Sequence, residues 1–334
     1  MEKILITGSS GFIGFHLSKA LLEEGIEVIG LDGMTEYYDL NLKKSRNSIL
    51  RDYKNYTFIN LMLEDFNSLK KNVLKFNPDI IFHLAAQPGV RYSFENPKSY
   101  LDANITGTFN LIEISKQLRL KHFLFASTSS IYGNQKVKKF HEGLKTDKPL
   151  SFYAATKKAN EVLLYTYSQL YKIPITVMRF FTVYGPWGRP DMALFKFTKS
   201  IIEGNEIEIY NHGKMTRDFT YIDDVIKAII LLNKEVPNLN LIDNINNDNL
   251  TKEVPYRIVN IGNSSSINLM DYVKQIEKCL GKKSLKLFKE MQPGDLKNTL
   301  SDNSLLHNLT DFKPRTSIKY GISEFIKWYL KHYH

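Results

Sequence analysis

The chain has 334 residues, of which 43% are hydrophobic and 24% charged, a composition that excludes a disordered protein and supplies one large core or two modest domains. No apolar run reaches the roughly 18 residues of a membrane-spanning helix, and no basic leader precedes the strand-like Ile4-Leu5-Ile6, so we expect a cytoplasmic protein without a membrane partner. The net charge of +10 comes from scattered lysines without a basic, aromatic patch, so we expect no nucleic-acid partner, and a small polyanionic substrate fits this charge at least as well.

The first predicted elements are a strand over residues 3–7, a glycine-rich turn over residues 8–14 and a helix over residues 15–24. A dinucleotide pyrophosphate needs this context, because small residues let the backbone approach closely and a helix N-terminus favours negative charge. The glycine spacing is GxxGxxG, one residue longer between the first two glycines than GxGxxG. We therefore predict that the turn binds a dinucleotide cofactor through Gly8, Gly11, Phe12, Ile13 and Gly14.

The second predicted strand, residues 27–31, ends at Asp32. A carboxylate at this position accepts hydrogen bonds from an adenosine ribose and repels a 2′-phosphate, which favours NAD over NADP. An aspartate in a strand-ending turn is the alternative. Three basic residues on a following helical segment weaken the preference for NAD only slightly: Lys43, Lys44 and Arg46.

Strands and helices continue to alternate along the next segment of the chain. We predict helices over residues 66–76 and 100–118, and strands over residues 79–84 and 122–126. Small residues beginning at Ala85 follow the first of these strands, and we predict that they lie along the cofactor. The alternation predicts an α/β protein with a doubly wound parallel sheet, whose ligands bind at the carboxyl ends of the strands.

A polar start at Ser151 leads into an alanine-rich helical pattern, on which Tyr153 and Lys157 lie four residues apart and share one face. The reference pKa of a tyrosine is near ~10, and lowering it by about three units requires roughly 4 kcal/mol of phenolate stabilisation. The Lys157 ammonium and a nearby nicotinamide cation supply such stabilisation, which makes Tyr153 a proton acceptor near neutral pH. Taken alone, the YxxxK spacing also fits a pair of surface residues.

The second half of the chain contains a segment rich in glycine and proline over residues 182–191, which marks a candidate domain boundary. An asparagine-rich stretch over residues 234–253 predicts an exposed loop. We predict an NAD-binding domain made of residues 1–182 and about 217–263, and a smaller α/β substrate domain made of about 183–216 and 264–334. The remaining predicted elements are strands over residues 175–181, 206–210 and 257–261, and helices over residues 193–203, 269–280 and from about 318.

Longer sequence motifs extend the pattern beyond the glycine turn and Tyr153. They are HLAAQ at residues 83–87, VRYS at 90–93, YAATKKANE at 153–161, RFFTVYGPWGRPD at 179–191, GKMTRDFTYIDD at 213–224 and MQPGD at 291–295. With these motifs the chain resembles the extended short-chain dehydrogenase/reductase family, which implies a Rossmann fold, and within that family it is similar to UDP-glucuronate 4-epimerases. The resemblance covers essentially the whole chain.

Two positions depart from the family pattern. The family often has Gly-Asp near residues 61 and 62, where the aspartate meets the adenine, but this chain has Leu61 and Met62. Gly33 stands where an asparagine is common. The adenine contact of the family is therefore not carried over to this chain.

The resemblance implies a first chemical step shared across the family. Tyr153 takes the proton of the sugar O4 while the C4 hydride passes to NAD, which gives a 4-keto sugar. Thr128 hydrogen-bonds the same oxygen, and Lys157 holds the nicotinamide ribose. A polar strand end is the alternative role for Thr128 and the two serines that follow it.

The fate of the 4-keto sugar depends on neighbouring groups. Related dehydratases place Asp-Glu after the threonine, and decarboxylases typically carry a glutamate in this cluster, whereas this chain has Ser129 and Ser130. A 3,5-epimerase commonly uses a cysteine acid, but the single cysteine, Cys279, lies far along the chain and also excludes a cysteine zinc cluster, so we expect no metal. Return of the hydride to the opposite face, a 4-epimerisation, is the outcome that these residues favour.

The resemblance also implies the substrate-binding residues. Arg217 is the candidate ligand of the UDP diphosphate and Asp295 of the uridine ribose, with a surface salt bridge as the alternative for Arg217. A 4-keto uronate is a β-keto acid that loses carbon dioxide, and we expect Ser129, Thr182 and Arg189 to hold its carboxylate. A structural loop role or a second phosphate contact is the alternative for Arg189. Further candidates for the substrate pocket are Ser130 and Arg91.

Two other functions stay open at this point: a 4-epimerase of UDP-glucose or UDP-N-acetylglucosamine, and a non-catalytic NAD-binding regulator. The intact Thr128, Tyr153 and Lys157 argue against a regulator, because a silent protein has no need of all three. The helices over residues 100–118 and 151–172 carry apolar residues on more than one face, which suits a homodimer interface. Burial of these residues inside the monomer is the alternative.

Overall fold

The computed structural model describes residues 2–239, 245–246 and 248–334 of the chain. Within these residues the strands are β1 (Lys3–Thr7), β2 (Glu27–Asp32), β3 (Tyr56–Asn60), β4 (Ile80–His83), β5 (His122–Thr128), β6 (Ile175–Phe180), β7 (Thr182–Tyr184), β8 (Glu206–Tyr210), β9 (Thr216–Tyr221), β10 (Tyr256–Ile261), β11 (Ser266–Asn268) and β12 (Leu285–Lys289). The helices are α1 (Phe12–Glu23), α2 (Leu40–Arg51), α3 (Phe66–Phe76), α4 (Tyr92–Glu95), α5 (Pro97–Tyr100), α6 (Gly107–Ser115), α7 (Phe152–Tyr171), α8 (Ala193–Glu203), α9 (Ile222–Lys234), α10 (Leu269–Leu280), α11 (Ser304–Thr310) and α12 (Ile318–Tyr333).

The main sheet has seven strands in the order β10, β6, β5, β4, β1, β2, β3. Neighbouring strands run parallel, and Ile4 at the centre of the sheet lies beside Val28 on one side and Ile80 on the other. The strand order runs outward from β1 toward β3 and from β4 toward β10. Ligands of such sheets bind where the order reverses, at the carboxyl ends of the strands.

The main sheet separates two hydrophobic cores, because successive side chains of a buried strand point to opposite faces. In β1, Ile4 and Ile6 belong to the core that contains side chains of α1, α2 and α9. Leu5 belongs to the opposite core, with side chains of α3, α6 and α7. Each fully buried large apolar side chain stabilises the fold by about 1.5–3 kcal/mol. Helices on both faces of a parallel sheet confirm the predicted doubly wound fold.

Smaller sheets complete the α/β structure. β9 pairs with β7 and β11, and β8 pairs with β12. Since β7 begins at Thr182, two residues after β6 ends, this smaller sheet starts at the carboxyl edge of the main sheet. The predicted range 217–263 of the NAD-binding domain contains β10, which is a main-sheet strand, but also most of β9, whose partners lie in the smaller sheet. The division into domains stays a prediction.

The segment predicted as one helix over residues 100–118 has a more complex structure. It consists of the end of α5, a π-helical stretch (Leu101–Thr106) and α6. The π-helical stretch contains the buried side chain of Asn104. The Asn104 amide accepts a hydrogen bond from the Gln87 N–H at 2.8 Å and donates one to Thr156 Oγ1 at 3.1 Å. Asn104 thereby ties the loop after β4 to α7, which carries Tyr153 and Lys157. π-Helical turns frequently occur at functional sites.

The asparagine-rich stretch over residues 234–253 lies partly outside the described residues, at 240–244 and 247. At its described end, the buried Asp248 carboxylate accepts two hydrogen bonds from Arg257 of β10, at 3.0 and 2.8 Å. This part of the stretch is therefore anchored to the main sheet. In the described part of the chain, no helix combines the length and the apolar character needed to cross a membrane.

Candidate active site

The glycine turn after β1 packs too tightly for side chains. Gly8 has φ +75°, and a Cβ on it would lie 2.8 Å from the Ala85 backbone nitrogen. A Cβ on Gly14 would lie 2.0 Å from the Gly8 carbonyl oxygen. The turn therefore leaves open backbone at the N-terminus of α1, which begins at Phe12. Backbone N–H groups at a helix start bind phosphate oxygens, so this geometry fits a dinucleotide pyrophosphate.

One cavity of about 280 Å³ lies at the carboxyl edge of the main sheet. It brings together every cofactor-binding and catalytic residue that the sequence predicts, and one of the predicted substrate residues. These are Gly8, Gly11, Phe12, Ile13, Gly14, Asp32, Ala85, Thr128, Tyr153, Lys157 and Arg189.

Asp32 ends β2 at the rim of this cavity and is held by two backbone donors. Its Oδ2 accepts a hydrogen bond from the Ser10 N–H at 3.1 Å, and its Oδ1 accepts one from the Met34 N–H at 2.8 Å. The carboxylate is thus fixed beside the glycine turn, which is the position of a ribose-binding aspartate. Lys43, which the sequence places on a helix away from the site, lines the same cavity and donates to the Thr35 carbonyl at 2.7 Å.

Tyr153 lies in the first turn of α7, whose N-cap is Ser151; the Ser151 hydroxyl accepts a hydrogen bond from the Ala154 N–H at 3.1 Å. Burial raises the pKa of Tyr153, and the Arg189 guanidinium and a hydrogen bond with Thr128 oppose this rise. Thr128, at the end of β5, thus hydrogen-bonds the phenol, and Arg189, from the loop after β7, acts on it through its charge. A base role for Tyr153 requires positive charge close to its oxygen.

Lys157 is buried one helical turn after Tyr153. Its ammonium donates a hydrogen bond to the Ala126 carbonyl at 2.8 Å and lies 4.8 Å from the centre of the Phe125 ring. Burial lowers the pKa of Lys157 to about 7, an effect that Glu161 opposes. The Arg189 charge lowers the pKa of Tyr153 in the structure, whereas the sequence predicts this role for Lys157 and a nicotinamide cation.

Lys157→Met is expected to remove a pH dependence of stability. The unfolded chain has the ordinary lysine pKa of 10.5, above the folded value of about 7, so it binds more protons between these values and the free energy of unfolding rises with pH across them. Urea unfolding at pH 7 and about pH 9 measures this rise, which the variant lacks. Lys158→Met, on the same helix, serves as the control and keeps the wild-type rise. An equal rise in the wild type and in Lys157→Met would contradict the assignment.

A buried ion pair supports the site from behind. Arg179 of β6 donates to both carboxylate oxygens of Glu161 on α7, at 3.0 and 2.8 Å, and Ser127 Oγ donates to the same carboxylate at 2.6 Å. Arg179 also donates to the Tyr132 hydroxyl at 3.0 Å. This network joins α7 to β5 and β6, directly behind Lys157 and Thr128. Both charged residues lie in the motifs at residues 153–161 and 179–191, but those motifs alone indicate no role for the pair.

Arg189 forms an ion pair with Asp191 that the sequence does not predict. Its Nε and Nη2 donate to the two carboxylate oxygens of Asp191 at 2.9 and 2.5 Å. The Tyr37 hydroxyl donates to the same carboxylate at 3.2 Å, and this contact bridges the loop after β2 to the loop after β7. The planar pairing orients the guanidinium toward the cavity that Tyr153 lines.

The hydroxyl residues predicted to bind substrate, Ser129, Ser130 and Thr182, lie close to Thr128 or Arg189 but do not line the main cavity. Ser129 and Ser130 start the short 3₁₀ helix after Thr128, and the Ser130 N–H donates to Thr128 Oγ1 at 3.2 Å. Thr182 lines a smaller adjoining cavity together with Arg189. The structure thus brings Thr182 and Arg189 to one place.

The predicted ligands of the UDP group form a second cluster. Arg91 donates to the Asp295 carboxylate at 3.2 Å, and its guanidinium lies 4.3 Å from the centre of the Tyr210 ring. Asp295 and Arg91 are also the charges that act on Arg217, whose pKa burial lowers. The cluster joins the loop after β4 to the C-terminal part of the chain. Within residues 2–239, 245–246 and 248–334, no group of three metal-ligating side chains is present.

Comparisons with known proteins agree with this arrangement. The sequence profile of the NAD dependent epimerase/dehydratase family matches residues 4–246. A probable UDP-glucuronate 4-epimerase of Rhizobium meliloti (strain 1021) is 46% identical over 333 residues, which cover 99% of this chain and 98% of the relative. The UDP-glucuronate 4-epimerase of Thermodesulfobacterium geofontis (strain OPF15) is 40% identical over 329 residues, 98% of this chain and 96% of the relative.

A solved structure has the same fold over the whole chain. The UDP-glucuronic acid 4-epimerase of Bacillus cereus, in complex with UDP-glucuronic acid and NAD, matches with a TM-score of 0.88 and 33% identity, and the match covers 99% of this chain and 100% of that one. The resemblance that the motifs carry is therefore confirmed across the full length. The chain belongs to the NAD dependent epimerase/dehydratase family.

Proposed function

We propose that the protein converts UDP-glucuronate to UDP-galacturonate by NAD-dependent 4-epimerisation. The observation that carries the proposal is one cavity lined by the glycine turn, Asp32, Thr128, Tyr153, Lys157 and Arg189. The cavity combines a turn that fits a dinucleotide, a tyrosine and a threonine that can exchange a proton with a sugar hydroxyl, and an arginine that can bind a uronate carboxylate. Relatives of 46% and 40% identity with the same named activity support the same substrate.

In the first half of the reaction, Tyr153 takes the proton of the sugar O4. Thr128 hydrogen-bonds that oxygen, and the Arg189 guanidinium favours the phenolate by its charge. Bound NAD accepts the C4 hydride and returns it, so the protein needs no other oxidant. Lys157 holds the cofactor ribose close to Tyr153, as its position on the same helix face permits.

In the second half, the 4-keto sugar turns so that the opposite face of C4 meets the hydride, and Tyr153 returns the proton to O4. The UDP group must stay bound while the sugar turns. Arg217 and Arg91 supply positive charge for the diphosphate, and the Asp295 carboxylate accepts hydrogen bonds from the uridine ribose. These groups lie in a cluster separate from Tyr153, so the sugar turns beside Tyr153 while the UDP group stays bound.

The 4-keto uronate loses carbon dioxide when its carboxylate bond aligns with the ketone π-system. Arg189 and Thr182 line one cavity beside the site, and Ser129 follows Thr128. We assign to these three residues the binding of the carboxylate in an orientation that prevents this alignment. The Asp191 carboxylate fixes the orientation of the Arg189 guanidinium.

Thr182→Val tests the carboxylate site, because valine keeps the shape of threonine and removes its hydroxyl. We expect kcat/KM for UDP-glucuronate to fall about tenfold, the cost of one lost hydrogen bond to a charged group. The fraction of decarboxylated 4-keto pentose, measured by mass spectrometry, is expected to rise. Thr182→Ser retains the hydroxyl and serves as the control. Full activity of Thr182→Val without decarboxylated product would contradict the assignment.

We propose a homodimer whose interface is formed by α7 and the segment from the π-helical stretch to α6. These helices pack together and present large apolar side chains to solvent: Leu101 and Phe109 are each 43% exposed, Val162 is 55% exposed and Tyr165 is 39% exposed. A second copy of the chain covers such a surface symmetrically, since the same helices meet their own copies. The predicted alternative, burial inside the monomer, applies to Leu111, Ile112 and Leu164 of the same helices, which are fully buried, but not to the four exposed side chains.

A Phe109→Asp, Val162→Asp double variant is expected to be monomeric at concentrations where the wild type is a dimer, because each aspartate would be desolvated in the interface. Light scattering after size exclusion measures the mass. Leu285→Asp, a similarly exposed leucine on β12, serves as the control and leaves the mass unchanged. Equal masses for the wild type and the double variant would rule out this interface.

We propose that the enzyme is cytoplasmic. Cell fractionation, with the protein detected by an antibody, tests this location. We propose two domains that meet after β6, with β9 assigned to the smaller one because it pairs with β7 and β11. Limited proteolysis that cuts first within residues 185–191 would support this boundary.

A further inference from the structure

Gly33 and Met62 pack against each other at the edge of the cofactor cavity. Both residues line the cavity, Gly33 directly after Asp32 and Met62 two residues after β3. A Cβ on residue 33 would lie 2.1 Å from the Met62 sulfur. Gly33 has no left-handed backbone conformation that would demand glycine. A side chain at residue 33 would therefore have to displace the Met62 thioether.

This edge is where the adenine of a bound dinucleotide lies. The ribose-binding position is the Asp32 carboxylate at the end of β2, and β3 is the next strand outward in the sheet. The base attached to that ribose therefore extends over the residues that follow β3. The cavity wall there is formed by Leu61, Met62 and Leu63, with Glu64 beyond them at the solvent.

We propose that the chain binds the adenine ring by apolar contact with Met62 and does not recognise its 6-amino group through a side chain. A thioether is polarisable and packs well against an aromatic ring. It neither accepts a strong hydrogen bond from an amino group nor repels a carbonyl oxygen in its place. A dinucleotide in which hypoxanthine replaces adenine is therefore bound about as tightly as NAD. The inference rests on the proposed NAD-dependent function.

Among the described residues that line this part of the wall, Glu64 is ionisable, and it is exposed to solvent. A hydrogen bond from the 6-amino group to an exposed carboxylate replaces one to water and gains little. Glu64→Gln is therefore expected to leave the ratio of the two dissociation constants unchanged.

The first experiment measures the dissociation constants of NAD and of nicotinamide hypoxanthine dinucleotide by calorimetry on the full chain freed of cofactor. The two constants are expected to agree within about tenfold, because an apolar pocket discriminates weakly between analogues of one shape. Met62→Asp introduces an acceptor for the amino group and is expected to favour NAD by more than about tenfold. Hypoxanthine dinucleotide binding more than tenfold weaker in the wild type would overturn the inference alone. Absence of NAD binding would overturn the proposed function with it.

A double-mutant cycle tests the pairing of Gly33 with Met62. Gly33→Ala is expected to displace the flexible thioether and to weaken NAD binding by more than about fivefold, within the range for overpacking a filled site. Met62→Ala in the same chain makes room for the new methyl group and restores binding toward that of Met62→Ala alone. Gly143→Ala is the control, because its Cβ would lie no closer than 3.4 Å to any neighbour. Unchanged NAD binding in Gly33→Ala would contradict the pairing.

Discussion

Tyr153→Phe is expected to lower kcat by about 10³ to 10⁴, the upper part of the range for loss of a general base. The ring remains in place, because it packs edge-on against Tyr100 with centroids 6.1 Å apart. Only the hydroxyl beside Thr128 and Arg189 is removed. The dissociation constants of NAD and UDP-glucuronate are expected to change by less than about threefold, since the phenol acts on O4 in the reaction and not on the anchored UDP.

Steady-state kinetics and calorimetry on the same preparation separate these two effects. Tyr171→Phe, near the exposed end of the same helix, serves as the control for removal of a phenol from α7 and is expected to keep wild-type kcat. A Tyr153→Phe variant that retained a tenth or more of wild-type kcat would exclude Tyr153 as the base.

Arg179→Met is expected to lower the free energy of unfolding by about 3–5 kcal/mol, as for other buried pairs that lose one partner. The variant leaves the Glu161 carboxylate buried with the Ser127 hydroxyl and, at 3.8 Å, the Lys158 ammonium. It also removes the donor to the Tyr132 hydroxyl. Activity is expected to fall at temperatures where the wild type is still folded, because α7 carries both Tyr153 and Lys157.

The second change, Glu161→Gln in the Arg179→Met background, removes the uncompensated charge and is expected to recover about half or more of the lost stability. Urea unfolding monitored by circular dichroism gives the free energies. Arg51→Met, on the exposed end of α2, serves as the control for the loss of an arginine. A double variant no more stable than Arg179→Met would show that the pair does not act as a buried ion pair.

Local sequence patterns were sufficient to predict six of the seven strands of the main sheet and the cofactor side of the site, but they did not predict β3. The glycine turn, Asp32 and Ala85 lie where parallel strands end, and the alternation of strands and helices brings those ends to one edge. The helices α3, α8 and α10 begin and end at the predicted residues, because their apolar periodicity is strong. Short strands such as β7 and β11 were not predicted, since three residues give too little periodicity.

Side-chain pairs between distant parts of the chain were beyond these patterns. Neither the Arg179–Glu161 pair nor the bridge from Tyr37 to Asp191 leaves a periodic signal, since each depends on how separate loops and helices meet. The fit of Gly33 against Met62 is of the same kind. Both positions depart from the family pattern, and they lie against each other in space.

The most direct test of the proposed reaction follows UDP-glucuronate labelled with deuterium at C4, incubated with the protein and NAD in ordinary water. Proton NMR and mass spectrometry are expected to show UDP-galacturonate that keeps the deuterium at C4, with no net NADH and no carbon dioxide released. Retention follows from transfer of one hydride out and back within a single bound complex. Loss of the label to solvent, or an unchanged C4 configuration, would contradict the proposed 4-epimerisation.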